Sequence, residues 1–130
     1  GKGGIGKSTV SSNVSAALSH MDEVVMQVGC DPKRDSISTL CGRLMPTVLD
    51  ELAAMSVVTP EDLQKVVHLG YGGVYGVESG GPKPGVGCGG GAVMAALKML
   101  EEQNVFERYG ITLAIFDVLG DVVCGGFAMP

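Results

Sequence analysis

The chain has 130 residues, 45% of them hydrophobic, and a net charge of −5: one domain's worth of chain or less, with an ordinary globular core. The acidic balance argues against nucleic acid as the main partner. No apolar run approaches the ~20 residues needed to cross a bilayer, and no charged start followed by an apolar stretch marks a secretory signal.

The first nine residues, Gly1-Lys2-Gly3-Gly4-Ile5-Gly6-Lys7-Ser8-Thr9, organise the rest. Positions 1–8 fit the phosphate-loop pattern G-x-x-x-x-G-K-[ST]. Glycines let backbone N–H groups curl around phosphate oxygens. In that pattern Lys7 reaches the β/γ-phosphates and Ser8 offers its hydroxyl to Mg²⁺, while a helix starting here turns its positive end to the anion. The plainer alternative is a glycine-rich turn before a helix. Lys2 is extra to the ordinary loop. The Gly-Lys-Gly-Gly start resembles the loops of dimeric ATPases whose second lysine reaches the partner subunit's nucleotide; by sequence alone it is a loop lysine. The chain opens inside this loop, without Met and without the strand that should precede it. It stops at Phe127-Ala128-Met129-Pro130. Both ends read as cuts, so residues 1–130 are expected to be a single partial domain, an internal fragment of a longer protein.

Ser8 to about His20 reads as a helix with Val10, Val14, Ala17 and Leu18 as its apolar stripe. Glu23 to Val28 contains a short apolar run that fits a buried parallel strand. Gly29 to Ser36 follows as a loop, on the ligand side of an α/β sheet. Its Asp31 and Asp35 are candidates to handle an attacking water or Mg²⁺, or are turn-forming aspartates. Thr47 to Met55 and Pro60 to Val67 read as helices, the second opened by Thr59-Pro60-Glu61-Asp62. His20 and His68 have no second histidine or cysteine at metal-ligand spacing.

Glycine makes up 21 of the 130 residues, about twice the usual ~7%, and its densest run lies between 70 and 91. A strand predicted over 73–78 leads there into a segment holding Cys88, a backbone suited to close approach by a ligand or partner. A helix from Ala92 to about Gln103 presents Val93, Ala96, Leu97 and Leu100 on one face. Thr112 to Phe116 reads as a buried strand ending at Asp117, where phosphate-loop ATPases keep a Mg²⁺-directed acid. The alternation of strands and helices predicts an α/β fold, a phosphate-loop NTPase-type, mostly parallel sheet flanked by helices.

None of the four cysteines, Cys30, Cys41, Cys88 and Cys124, forms a C-x₂-C pair. Reduced thiols rather than disulfides are expected of an intracellular ATPase. Cys88 and Cys124 are each followed by Gly-Gly. They are either two inert buried thiols or half of a four-thiolate [4Fe–4S] site completed by a two-fold partner.

Four blocks together resemble the nitrogenase iron protein (dinitrogenase reductase) family: Gly1–Thr9, Gly29–Lys33, Glu78-Ser79-Gly80-Gly81-Pro82 through Cys88, and Asp117 through Pro130. The resemblance covers essentially the whole chain. It implies a cytoplasmic homodimer bridged by one [4Fe–4S] cluster, with MgATP hydrolysis driving one-electron transfer to the nitrogenase catalytic component and ferredoxin or flavodoxin as donor. On it, Cys88 and Cys124 become cluster ligands, Gly1 to Thr9 hold the nucleotide, and Ser8 serves Mg²⁺. Lys2 reaches across the dimer, Asp31 and Asp35 belong to a first switch with Asp31 orienting water, and Asp117 and Asp121 begin a second. Cys124 lies only seven positions after Asp117, so γ-phosphate loss would release a loop whose far end is a cluster ligand. Typical nitrogenase iron proteins follow the first cluster cysteine with Ala-Gly-Arg-Gly, whose arginine docks on the partner and can be ADP-ribosylated; here the run is Gly89-Gly90-Gly91-Ala92. Cys-Gly-Gly is similar to the ATPase subunit of dark protochlorophyllide reductase, whereas Ser79, Val86 and Ala128-Met129-Pro130 look like nitrogenase. A reductase of methanogen nickel-tetrapyrrole synthesis shares the mechanism. A partitioning-type ATPase would share Lys2, Lys7 and Asp117 without needing the two cysteines.

Overall fold

A computed structural model describes residues 6–30, 33–54, 58–80 and 90–118. Its strands are β1 (Val25–Cys30), β2 (His68–Leu69), β3 (Tyr75–Glu78) and β4 (Leu113–Val118), in the sheet order β2-β3-β1-β4. β1 runs parallel to β3 and to β4, and the short β2 pairs antiparallel with β3. Parallel neighbours need crossover connections. The helices supply them: α2 (Ser38–Cys41), α3 (Val48–Ala54) and α4 (Leu63–Val66) between β1 and β2, then α5 (Gly90–Glu102) and α6 (Val105–Arg108) between β3 and β4. The first helix, α1, spans Lys7–Ser19. This is the expected α/β class, a P-loop NTPase-type fold with a mostly parallel sheet flanked by helices.

Side chains alternate across a strand, and β1 uses the two faces differently. Met26, Val28 and Cys30 enter the larger core with Val77 of β3 and Val93 and Leu100 of α5. The predicted α5 stripe is borne out: Val93, Ala96 and Leu100 are buried and Leu97 packs against that core. On the other face Val25 joins a small cluster with Leu40 and Val74. Beyond it this face turns polar, with the Gln27 side chain meeting serines of α1.

That polarity corrects the reading of α1. Its buried residues are Ser12 and Ser15, while Val10 is 61% and Val14 44% exposed, Ala17 is exposed and only Leu18 packs, partly buried, on the small cluster. Gln27 offers α1 hydrogen-bonding groups, and a buried amide must be paired. The helix therefore turns its hydroxyl face inward and its valines outward.

Two strand readings also change. β1 runs through Cys30, because Gly29 and Cys30 continue the ladder to Asp117 and Val118; the loop expected from Gly29 starts later. β4 was expected to be buried, but Leu113, Phe116 and Val118 are exposed and Asp117 is its one buried residue. Among the described residues β4 is an edge strand with β1 as its neighbour. The helix expected over 60–67 is a 3₁₀ turn, Pro60–Asp62, running into α4. Its start is as read: the Thr59 N–H donates to Asp62 Oδ2 at 2.9 Å.

Candidate functional site

Gly6 stands just before α1 with φ +85°, a left-handed conformation that a side chain disfavours. Its carbonyl accepts from the Val10 N–H at 3.0 Å and so opens the helix. Lys7, Ser8 and Thr9 then form the first turn. The Lys7 ammonium donates to the Val118 carbonyl and lies 4.0 Å from Asp117 Oδ1. Sequence positions 110 apart thus meet where the start of α1 faces the end of β4.

The sheet register places Glu78, Gly29 and Asp117 side by side on β3, β1 and β4. Glycine in the middle is required by the close approach. A Cβ on Gly29 would come within 2.3 Å of Glu78 Oε2 and 2.5 Å of Ser36 Cβ. Two carboxylates therefore flank a strand position without a side chain, and the loop after β1 folds over the gap. Ser36 Oγ donates to Asp117 Oδ2 at 2.7 Å, and the Ile37 N–H donates to Glu78 Oε1 at 2.7 Å. Gln27 Nε2 donates to the Ser36 carbonyl and to Ser36 Oγ, both at 3.0 Å. Ser12 Oγ adds a bond to the same carbonyl at 3.2 Å. Ser36, Gln27 and Glu78 are fully buried and Asp117 is nearly so.

Asp117 Oδ1 is buried without a hydrogen-bond partner among the described residues; its companion there is the Lys7 ammonium. A carboxylate oxygen in that position, with the Ser8 hydroxyl in the facing helix turn, is a hard-oxygen donor set of the type Mg²⁺ takes. A lysine and a helix start are suited to phosphate. These residues fit a magnesium nucleotide.

Of the residues predicted from sequence, the structure brings Gly6, Lys7, Ser8, Thr9 and Asp117 to one end of the sheet. Asp35 is exposed; its carbonyl accepts from Ser38 at the start of α2, and the structure does not join it to the Asp117 group. Gly1, Lys2, Gly3, Gly4, Ile5, Asp31, Cys88, Asp121 and Cys124 lie outside the described residues. The residues missed from sequence are Gln27, Ser36 and Glu78. A polar Gln27 inside an otherwise apolar run was the available signal.

Among the described residues no group of three or more His, Cys, Asp or Glu side chains could hold a metal ion. Burial in β1 pushes the Cys30 thiol up to about 11, and burial also raises Cys41. His68 is held by the Pro46 carbonyl, 3.1 Å from its Nε2, and burial lowers its pKa.

A mostly parallel sheet, a left-handed glycine opening a helix at Lys7, and a buried aspartate beside that lysine are consistent with a P-loop NTPase-type fold. The sequence matches, over residues 1–130, the model of the 4Fe-4S iron sulfur cluster binding proteins, NifH/frxC family. It is 54% identical over 131 aligned positions to nitrogenase iron protein 2 of Paenibacillus durus. The match takes in the whole of this chain and 44% of that relative's length. The chain belongs to the NifH/frxC family.

Proposed function

We propose that this chain is the nucleotide-binding and switch portion of an ATP-dependent one-electron reductase. The reductase works as a homodimer sharing one [4Fe–4S] cluster and donates to the nitrogenase catalytic component. The observation that carries the reading is the Lys7–Asp117 pairing at the C-terminal end of β4. It sets the phosphate-directed lysine against the acid from which the chain continues to Cys124.

In this reading Lys7 and the first turn of α1 bind the nucleotide phosphates, and Ser8 and Asp117 hold Mg²⁺. The metal neutralises phosphate charge when bound. Lys7 must leave Asp117 to turn to phosphate, which frees Asp117 Oδ1 for the metal. Asp31 and Asp35 orient water and metal from the first switch loop, Asp121 continues the second, and Lys2 reaches the partner subunit's nucleotide. Cys88 and Cys124 supply two thiolates per subunit, which the dimer doubles to four. A cluster held there would supply the one-electron chemistry, with ferredoxin or flavodoxin as its donor.

Family membership and the 54% identity to a nitrogenase iron protein support the nitrogenase acceptor. One observation favours a second reading, electron donation to a tetrapyrrole-reducing partner. Gly91, where the nitrogenase pattern has its docking arginine, is exposed at the start of α5. The test is MgATP-dependent electron transfer by the full-length, cluster-loaded dimer, offered a nitrogenase catalytic component and, separately, a protochlorophyllide-reducing component. Turnover with the first alone supports the proposal. Turnover with the second alone replaces the acceptor, and turnover with neither contradicts the reductase reading.

A further inference from the structure

Gln27 and Ser36 make up a buried device that the nucleotide chemistry above does not use. The Ser36 carbonyl can only accept, so the group facing it at 3.0 Å must be the amide nitrogen of Gln27. The amide oxygen then points the other way, to Ser15 Oγ, which donates to it at 2.7 Å. With its orientation fixed, the Gln27 NH₂ also donates to Ser36 Oγ at 3.0 Å. The Ser36 hydroxyl, already accepting, has one proton left to give, and Asp117 Oδ2 lies 2.7 Å away. A chain of donors therefore runs one way, from α1 through β1 and the first switch loop to the carboxylate on β4. It ends on Oδ2 and leaves Oδ1 turned to Lys7.

We infer that Gln27 and Ser36 are positioning residues for Asp117, holding its carboxylate by Oδ2 so that Oδ1 is presented to the magnesium of a bound nucleotide. This rests on the magnesium-nucleotide reading given above. Gln27 acts through Ser36: without its amide, the Ser36 hydroxyl can rotate away from the carboxylate. Because Ser36 immediately follows Asp35, the same bond ties the first switch loop to the acid that begins the second. Displacement of either is transmitted through one hydroxyl, without contact between the two aspartates.

The test uses the full-length dimer, with ADP as the probe, titrated calorimetrically with and without Mg²⁺. The wild type should bind ADP more tightly with the metal. Ser36→Ala should weaken ADP binding in Mg²⁺ by about tenfold to a hundredfold, the loss expected for one hydrogen bond to a charged group, and leave metal-free ADP binding unchanged. Gln27→Met keeps the volume and removes the amide. It should weaken binding in Mg²⁺ in the same direction, and the double variant should be no worse than Ser36→Ala, because the two act in series. Equal losses with and without metal, or wild-type affinity in both single variants, would overturn the inference while leaving the nucleotide reading in place. If Ser36→Ala does not fold, the same comparison on Gln27→Met decides. A wild type indifferent to Mg²⁺ overturns the magnesium reading itself, and with it this inference.

Discussion

Lys7 and Asp117 show how far single residues could be read. Both were legible, Lys7 from the glycine pattern ahead of it and Asp117 as the polar end of an apolar strand. Ser36 and Glu78 were not, because their roles depend on which strands become neighbours, and the register that sets Glu78, Gly29 and Asp117 in one row is a property of the sheet. In the full-length protein Lys7→Ala should lower MgATP-dependent electron transfer by roughly a hundredfold or more, the scale for removing a group that stabilises transferring charge. Iron content should stay at the wild-type level, since Lys7 ligates no iron. Loss of iron with nucleotide binding intact would contradict its assignment. His68 gives a pH prediction. Burial holds its pKa below the unfolded value of about 6.5. The unfolded chain thus takes up a proton that the folded one resists. The stability contributed by neutral His68 is complete above that value and declines as pH falls through the lowered pKa. His68→Gln should flatten this part of the stability–pH curve, followed by denaturant midpoint from pH 7 downward.

Elements were read correctly in kind and less well in what they bury. Periodicity placed α5 and its core face, since its apolar residues recur every three to four positions. The same rule failed on α1, because a helix buries whatever its support can pair with. Here the support offers Gln27 rather than aliphatic side chains, so serines go in and valines face out. Short elements such as α2 and β2 leave too few residues to show a period. At this scale the tightest constraint is the contact of β1 with its neighbours at Gly29. Gly29→Ala should push on Glu78 and Ser36 at distances no real side chain tolerates, costing about 3 kcal/mol or more. Urea denaturation of the full-length apoprotein measures it; an unchanged midpoint would show the row to be loosely packed. The start of α5 is permissive by contrast. A Cβ on Gly91 meets nothing within 4 Å, and the gain from replacing a helical glycine is opposed by a cation in the first turn. Gly91→Arg should therefore fold with a stability within about 1 kcal/mol of wild type. If the acceptor is a nitrogenase, the added arginine should tighten the electron-transfer complex, read as a lower apparent KM for the catalytic component.

For the whole molecule, the proposed function gives the described residues the nucleotide end of the mechanism and assigns its redox end to the glycine-flanked cysteines outside them, an assignment that rests on the resemblance alone. The cluster assignment rests on Cys88 and Cys124, while Cys30 lies buried in β1 with its thiol pKa raised by burial. The most direct measurement is therefore iron content, with the cluster's charge-transfer absorption, in four variants of the full-length dimer prepared anaerobically: Cys30→Ser, Cys41→Ser, Cys88→Ser and Cys124→Ser. Wild type should hold about four iron atoms per dimer. Cys30→Ser and Cys41→Ser should keep them. Cys88→Ser or Cys124→Ser should each release the cluster, because two-fold symmetry removes two of its four ligands at once. A bleached spectrum in Cys30→Ser or Cys41→Ser, with Cys88→Ser and Cys124→Ser still loaded, would contradict the account.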